Sequence, residues 1–125
     1  MNPDQLIHKE LSEKIIGAAI KVLCSLRPGL DEKAYENALV IELRARGHHI
    51  DQQKRFDVIY EGQVVDTLIP DLIVDSSVIV DPKVVEAFTP THFFQMIGYL
   101  TITDLRLALL LNFKQIELHW RRVVR

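Results

Sequence analysis

Two aspartates and a lysine interrupt an apolar stretch that otherwise predicts buried β-strands. Asp71 follows Pro70 in the segment IPDLIV, and further on Asp81 and Lys83 flank Pro82 in VIVDPKVV. A charged side chain in an apolar strand is unfavourable unless a counter-charge or a metal ion compensates for its lost hydration. The three charged residues are therefore candidates for a functional site.

A hairpin turn centred near Ser76 would bring the two aspartates together. Asp71 and Asp81 are equally distant from Ser76 in the sequence, so an antiparallel pairing places them opposite each other, about 5 Å apart. Two carboxylates this close repel each other unless one is protonated or a cation lies between them. Mg²⁺ prefers a few carboxylate oxygens together with retained waters, so the hairpin resembles half of a magnesium site.

Lys83 would lie on the same face of the strand as Asp81, because side chains alternate along a strand. Its ammonium group could orient or help to deprotonate a water molecule, or neutralise charge that develops on a phosphate. Spacing alone leaves a second interpretation open, in which Asp81 and Lys83 form a structural ion pair and Asp71 is solvated near a turn.

The elements that must position these residues follow from the hydrophobic periodicity. Helical spacing predicts a first helix, capped by Asn2 or Asp4, and a second from about Asp31 to Arg46 that ends at Gly47. Period-two spacing then predicts three strands, in the segments RFDVIY, QVVDTLIPDLIV and SSVIVDPKVV.

A third helix and two further strands complete the predicted order. Thr89 and Pro90 form an N-cap followed by a first-turn proline, and they open a helix through about Ile102. RLALLLNF predicts a fully buried strand and QIELHW an edge strand. The order ααβββαββ indicates an α/β (α+β) fold, with one domain over residues 1–125 and a sheet covered by helices.

Composition limits the classes of protein that fit. The formal net charge is -2 and the pI about 6.2, so no overall basic field favours non-specific nucleic-acid binding. The single cysteine, Cys24, excludes an internal disulfide and a cysteine-only metal cage. No apolar stretch approaches the roughly 18 residues of a membrane span. We therefore expect a soluble, cytoplasmic protein with no membrane partner.

Three short motifs resemble those of a known nuclease family. PD at positions 70–71 and DPK at positions 81–83 resemble the PD-(D/E)xK signature of the metal-dependent nuclease superfamily. The segment PGLDEKAYENAL carries Gly29, Glu32 and Tyr35 in the spacing that names the GxxExxY protein family, whose members look like small PD-(D/E)xK nuclease domains. QMIGY resembles the Q-x-x-x-Y helix of exonuclease-like branches. Flanking segments are also similar, in the same order, so the resemblance covers nearly the whole chain.

The resemblance implies a restriction-endonuclease-like mixed β-sheet flanked by helices, and it implies roles for particular residues. Asp71 and Asp81 would be ligands of Mg²⁺ or Mn²⁺, and Lys83 would activate water or stabilise charge. Glu32, on the second helix, resembles the additional helical acid that completes the metal site. The implied substrate is nucleic acid, with DNA favoured over RNA.

Further residues are candidates for substrate contact. His92, Gln95 and Tyr99 form one polar stripe on the third helix, which could bind phosphate or base, or simply face water. Tyr35 lies one helical turn after Glu32 and would share its face. Because a tyrosine at this spacing is more often a core aromatic, Tyr35 is given only a supporting role.

Pro82 departs from the family pattern, which usually has Glu-x-Lys with an aliphatic residue in the middle. Proline removes a hydrogen-bond donor from the ladder and belongs on edge strands or at bulges. A bulge at Pro82 could change the direction of Lys83.

Three functions are compatible with the sequence. The first is a Mg²⁺- or Mn²⁺-dependent nuclease that hydrolyses phosphodiester bonds. The second is a catalytically impaired nuclease-fold domain that binds nucleic acid or a protein partner. The third is a homodimeric scaffold that uses the apolar edge strand around Trp120.

Overall fold

The computed structural model describes residues 7–125, which form three helices and seven strands. In chain order these are α1 (Lys9–Leu26), α2 (Glu32–Ala45), β1 (Ile50–Gln52), β2 (Phe56–Tyr60), β3 (Gln63–Leu68), β4 (Leu72–Val74), β5 (Val78–Lys83), α3 (Pro90–Thr103), β6 (Leu107–Asn112) and β7 (His119–Val124). The predicted caps of the first helix, Asn2 and Asp4, lie outside the described residues.

The predicted α/β class, with its mixed sheet and helices, is confirmed, and the observed strands differ from the predicted ones in three details. The strand predicted over 63–74 is two strands, β3 and β4, which belong to different sheets and are separated at Pro70. Strand β1 was not predicted, because its three residues include one apolar side chain, Ile50. The last strand begins at His119, later than predicted, and the segment 115–118 is irregular.

The main sheet has the order β1-β4-β5-β6-β7. Its pairings are antiparallel except between β5 and β6, which are parallel and are connected through α3. Strands β2 and β3 form a separate hairpin whose turn, Glu61-Gly62, has the two positive φ angles, 49° and 76°, that a type I′ turn requires.

Each face of the main sheet has its own core. The core beneath α1 and α2 contains the buried sheet residues Leu72, Val74, Val78, Val80, Leu107, Leu109 and Leu111. The core beneath α3 contains Ile73, Ile79, Ala108, Leu110 and Val123, together with Met96 and Leu100 of the helix. Because side chains alternate along a strand, Asp81 and Lys83 lie on the α3 face with Ile79.

Strand β5 has no bulge at Pro82. Strand β5 pairs with β6 without a shift in register, and Pro82 lies opposite Leu111. The antiparallel ladder on the other side ends at the Leu72–Val80 pair. Proline therefore follows the point at which β5 loses its β4 partner, so its missing N–H costs no hydrogen bond to β4.

Candidate functional site

The two aspartates meet where the β4–β5 ladder ends. Its last pair is Leu72 with Val80, so Asp71 and Asp81 are the next opposed positions. Asp71 is two residues before Ile73, which lies in the α3-side core, and therefore shares that face of the sheet. Asp71 and Asp81 are therefore opposite each other, as the hairpin spacing predicts, and both lie on the α3 face of the main sheet.

Charge and burial at this pair favour a shared proton. Asp81 is 4% exposed. Burial, opposed by the Lys83 ammonium and reinforced by the charge of Asp71, raises the pKa of Asp81 to about 7. Burial also raises the pKa of Asp71, against a hydrogen bond from Gln53. The interaction between the two carboxyl groups also shifts their pKa values in opposite directions, lowering that of Asp71 and raising that of Asp81, so the pair favours a single proton held mainly by Asp81.

Lys83 is the cation beside this pair. Its side chain is 12% exposed, and Nζ lies 3.4 Å from Oδ1 and 3.5 Å from Oδ2 of Asp81. These distances are longer than those of a close charge-assisted hydrogen bond. The lysine therefore offsets only part of the negative charge of the two carboxylates.

Glu32 lies near the carboxyl end of β5. Its Oε2 atom accepts a hydrogen bond of 3.1 Å from the Val84 N–H, and its charge acts on His92. The residue is exposed. Within residues 7–125, no group of three or more His, Cys, Asp or Glu side chains is arranged to hold a metal ion, so Glu32 does not form a closed ligand set with Asp71 and Asp81.

A second acid of α2, Glu36, was not among the predicted site residues. It is 5% exposed, and its Oε2 accepts hydrogen bonds from Lys33, Gln52 and Gln53 at 2.9, 2.6 and 3.1 Å. Its charge contributes to raising the pKa of Asp71. Helical spacing could have identified Glu36, because it lies four residues after Glu32 and shares its face.

The polar stripe of α3 faces the same region. The charges of Asp81 and Asp71 add to burial in raising the pKa of Tyr99, and Gln95 donates a 3.1 Å hydrogen bond to the Tyr99 hydroxyl. Burial and the charge of Lys83 lower the pKa of His92. Tyr99 is therefore within electrostatic range of the two aspartates, and His92 within that of Lys83 and Glu32.

His92 also closes the amino end of α3. Its Nδ1 accepts the Thr89 N–H at 3.1 Å, and its own N–H donates to the Thr89 hydroxyl at 3.4 Å. The predicted N-cap at Thr89 is confirmed. Because Nδ1 is an acceptor, Nε2 is the ring nitrogen that carries the proton and can donate outward.

Tyr35 does not contact the site, contrary to its predicted supporting role. It is fully buried and stacks on Phe113 with 4.8 Å between ring centroids. Its hydroxyl donates to the Arg27 carbonyl at 2.7 Å and accepts from the Leu30 N–H at 3.1 Å. Tyr35 therefore fixes the connection between α1 and α2, and no part of it is accessible to a substrate.

Comparison with protein-family models matches residues 9–123 to the PD-(D/E)XK nuclease superfamily. The chain therefore belongs to this superfamily, whose nucleases generally use divalent metals. The narrower resemblance to the GxxExxY family stays a prediction. No curated protein matches the chain significantly.

The fold is similar to that of the alkaline exonuclease LHK-Exo from Laribacter hongkongensis. The two structures superpose with a TM-score of 0.51 at 14% sequence identity, over 90% of this chain and 82% of the exonuclease chain. At this identity the likeness establishes the fold alone. No helix within residues 7–125 is long and apolar enough to cross a lipid bilayer.

Proposed function

We propose that the chain is a divalent-metal-dependent nuclease that hydrolyses phosphodiester bonds of nucleic acid, with DNA favoured over RNA. The observation that carries the proposal is the Asp71–Asp81 pair, which lies on one face of the sheet with Lys83 beside it. This is the acid, acid and lysine set of the superfamily to which the chain belongs.

The donor set fits Mg²⁺ or Mn²⁺. Two opposed carboxylates, one of them buried and with a pKa raised to about 7, leave negative charge that Lys83 only partly offsets. Carboxylate oxygens are the ligands that these hard cations prefer. Asp71 and Asp81 would hold the ion, and Glu32 of α2, which is not grouped with them in the described part of this structure, is the candidate for a further ligand.

A bound divalent ion would supply Lewis-acid stabilisation of the phosphate and lower the pKa of a bound water. The protein supplies the remaining chemistry. Lys83 is held beside Asp81 by the register of β5, where its ammonium group can orient the attacking water or balance charge on the phosphate. Its low exposure strengthens this interaction, because a water-poor environment screens charge less.

The stripe on α3 is the proposed substrate contact. Gln95 is exposed and can donate to a phosphate oxygen or to a base edge. The hydroxyl of Tyr99 and the Nε2–H of His92 are further donors on the same side of the carboxylate pair. Tyr35 is left out because its hydroxyl is used in the core.

The test is cleavage of single-stranded and double-stranded DNA and RNA by the purified chain, with Mg²⁺, with Mn²⁺ and with a chelator. Asp71→Asn and Asp81→Asn should lower metal-dependent cleavage by roughly a hundred-fold or more. Lys83→Met should lower cleavage by roughly 10²–10³-fold while metal binding persists. Asp57→Asn, in the exposed part of the β2–β3 hairpin, is the matched control and should cleave like the wild type.

Metal-dependent cleavage that survives Asp71→Asn would contradict this assignment of residues. Binding of nucleic acid by a wild type that cleaves neither DNA nor RNA under any metal condition would instead favour the catalytically impaired alternative.

A further inference from the structure

Gln53 connects α2 to the β4–β5 hairpin that carries Asp71. Its carboxamide nitrogen donates to Oδ1 of Asp71 at 3.1 Å and to Oε2 of Glu36 at 3.1 Å. A carboxamide nitrogen carries two hydrogens, so these two carboxylates use both of them. The backbone N–H of Gln53 also donates to the Asp71 carbonyl at 3.0 Å, so Gln53 holds Asp71 by its main chain and its side chain.

Glu36 is a fixed anchor for this bridge. It is buried, and Lys33 and Gln52 donate to the same oxygen that accepts from Gln53. The carboxamide of Gln53 therefore links Glu36 of α2 to the carboxylate of Asp71. The bridge also separates two like charges by a neutral donor, which reduces their repulsion in the metal-free protein.

The backbone of Gln53 is strained. Its φ angle is 58°, in the left-handed region that residues with a Cβ adopt uncommonly, Asn, Asp and His more often than the others. A glycine would adopt this conformation freely, but it would lack the carboxamide that joins Asp71 to Glu36. Strain of this kind at a candidate site, together with the bridge, indicates a side chain that acts on the site.

We propose that Gln53 is a positioning residue, which fixes the Asp71 carboxylate in the orientation that binds a divalent metal by bridging it to Glu36. This inference rests on the proposed function, and it concerns a residue that does not itself need to touch the ion. Groups that orient metal ligands typically change metal affinity by roughly 10–100-fold when they are removed.

The test measures binding of Mn²⁺ alone by titration calorimetry, with thermal unfolding of the metal-free protein as a second readout. Gln53→Gly removes the carboxamide and also the backbone strain. It should raise the Kd for Mn²⁺ by roughly 10–100-fold, while the unfolding midpoint stays close to that of the wild type. Saturating Mn²⁺ should restore cleavage, because the catalytic groups are intact.

Gln52→Ala is the matched control. Gln52 donates to Glu36 at 2.6 Å and to Asn37 at 2.9 Å, and no hydrogen bond joins it to Asp71 among the described residues. Its Kd for Mn²⁺ should equal that of the wild type. Equal weakening in Gln52→Ala and Gln53→Gly would overturn the inference, because the effect would then come from support of Glu36 alone.

The inference and the proposed function fail in different ways. Suppose that Gln53→Gly binds Mn²⁺ with the wild-type Kd while Asp81→Asn no longer binds Mn²⁺. This result would overturn the positioning role of Gln53 but would still support the proposed metal site. A wild-type protein that binds no Mn²⁺ would overturn both.

Discussion

At the scale of single residues, the protein contains a buried acid that is unfavourable without a cation. Asp81 is 4% exposed, faces a second carboxylate and has only one lysine nearby, at 3.4 Å. A pKa raised from 3.8 to about 7 corresponds to about 4 kcal/mol of unfavourable free energy for the ionised form, as an upper value. The site therefore reduces stability at neutral pH unless a cation is bound, as is common for functional carboxylates.

We predict a pH dependence of stability that Asp81→Asn removes. In the unfolded chain this carboxyl ionises near 3.8, whereas in the folded protein it keeps its proton up to about 7. Between these values the unfolded state binds fewer protons, so the Asp81 contribution makes the free energy of unfolding fall as pH rises, and it levels off above pH 7. Urea unfolding in chelator should show Asp81→Asn gaining stability over the wild type across this window.

Asp75→Asn is the control of opposite sign. Burial raises the pKa of Asp75, but hydrogen bonds from His48 and from the His49 N–H outweigh burial and lower it. Asp75 therefore stabilises the folded protein at pH values above the pKa that it has in the unfolded chain. This stabilisation is lost as the pH falls through the lower pKa that Asp75 has in the folded protein. Stability curves of wild type and Asp81→Asn that run parallel from pH 4 to pH 8 would contradict the assigned burial of Asp81.

At the scale of elements, β5 decides whether the site can form. It is the central strand of the main sheet, with β4 on one side and β6 on the other. It pairs with both neighbours as far as Val80, and beyond that residue with β6 alone. The charged residues and Pro82 lie in this second half, where the end of β4 leaves room for Asp71 and for the stripe of α3.

We predict that Pro82→Val is tolerated, because Pro82 lies beyond the β4 ladder. Its unfolding free energy should change by less than about 1 kcal/mol, the span of strand propensities, and metal-dependent cleavage should persist. The matched control is Val80→Pro, at the paired position two residues earlier. It should cost about 3 kcal/mol or more, because proline there interrupts a central strand that is paired on both sides.

Thermal and urea unfolding measure both variants. We expect valine to replace Pro82 without loss of activity. A Pro82→Val variant that keeps its stability but loses cleavage would contradict this prediction. Equal stability of Val80→Pro and Pro82→Val would contradict the described end of the β4 ladder.

At the scale of the whole molecule, three layers position the site at one end of the sheet. Helices α1 and α2 cover one face and α3 covers the other. Glu36 and Glu32 come from the first layer, the two aspartates from the sheet, and the polar stripe from α3. The site therefore requires all three layers, and a variant that loosens either core should weaken metal binding before it abolishes folding.

A homodimer through the edge strand stays a prediction. Strand β7 is at the edge of the main sheet, and Trp120 on it is 39% exposed, near the exposed apolar side chains of Ile116 and Ile20. An uncovered apolar edge favours association. Sedimentation velocity should show a dimer for the wild type and a monomer for Trp120→Lys, and a wild-type monomer at high concentration would contradict the prediction.

The sequence alone determined the features that depend on local rules. Turn residues and strand alternation placed Asp71 opposite Asp81, because a tight turn fixes the register of the two strands that it joins. The start of α3 was predicted from Thr89 and Pro90 for a similar reason, since N-capping is a contact within one turn. The resemblance to the superfamily was likewise visible in short motifs, namely PD at positions 70–71, DPK at positions 81–83 and the segment that contains Glu32.

Only the tertiary structure decided the features that depend on packing between distant segments. It placed Pro82 beyond the end of β4, buried Tyr35 against Phe113, and joined Glu36 to Asp71 through Gln53. No local pattern specifies these contacts, because they join segments that are far apart in the sequence. The pair of aspartates is thus determined by the chain's own turn, whereas the support that orients it is determined by the fold.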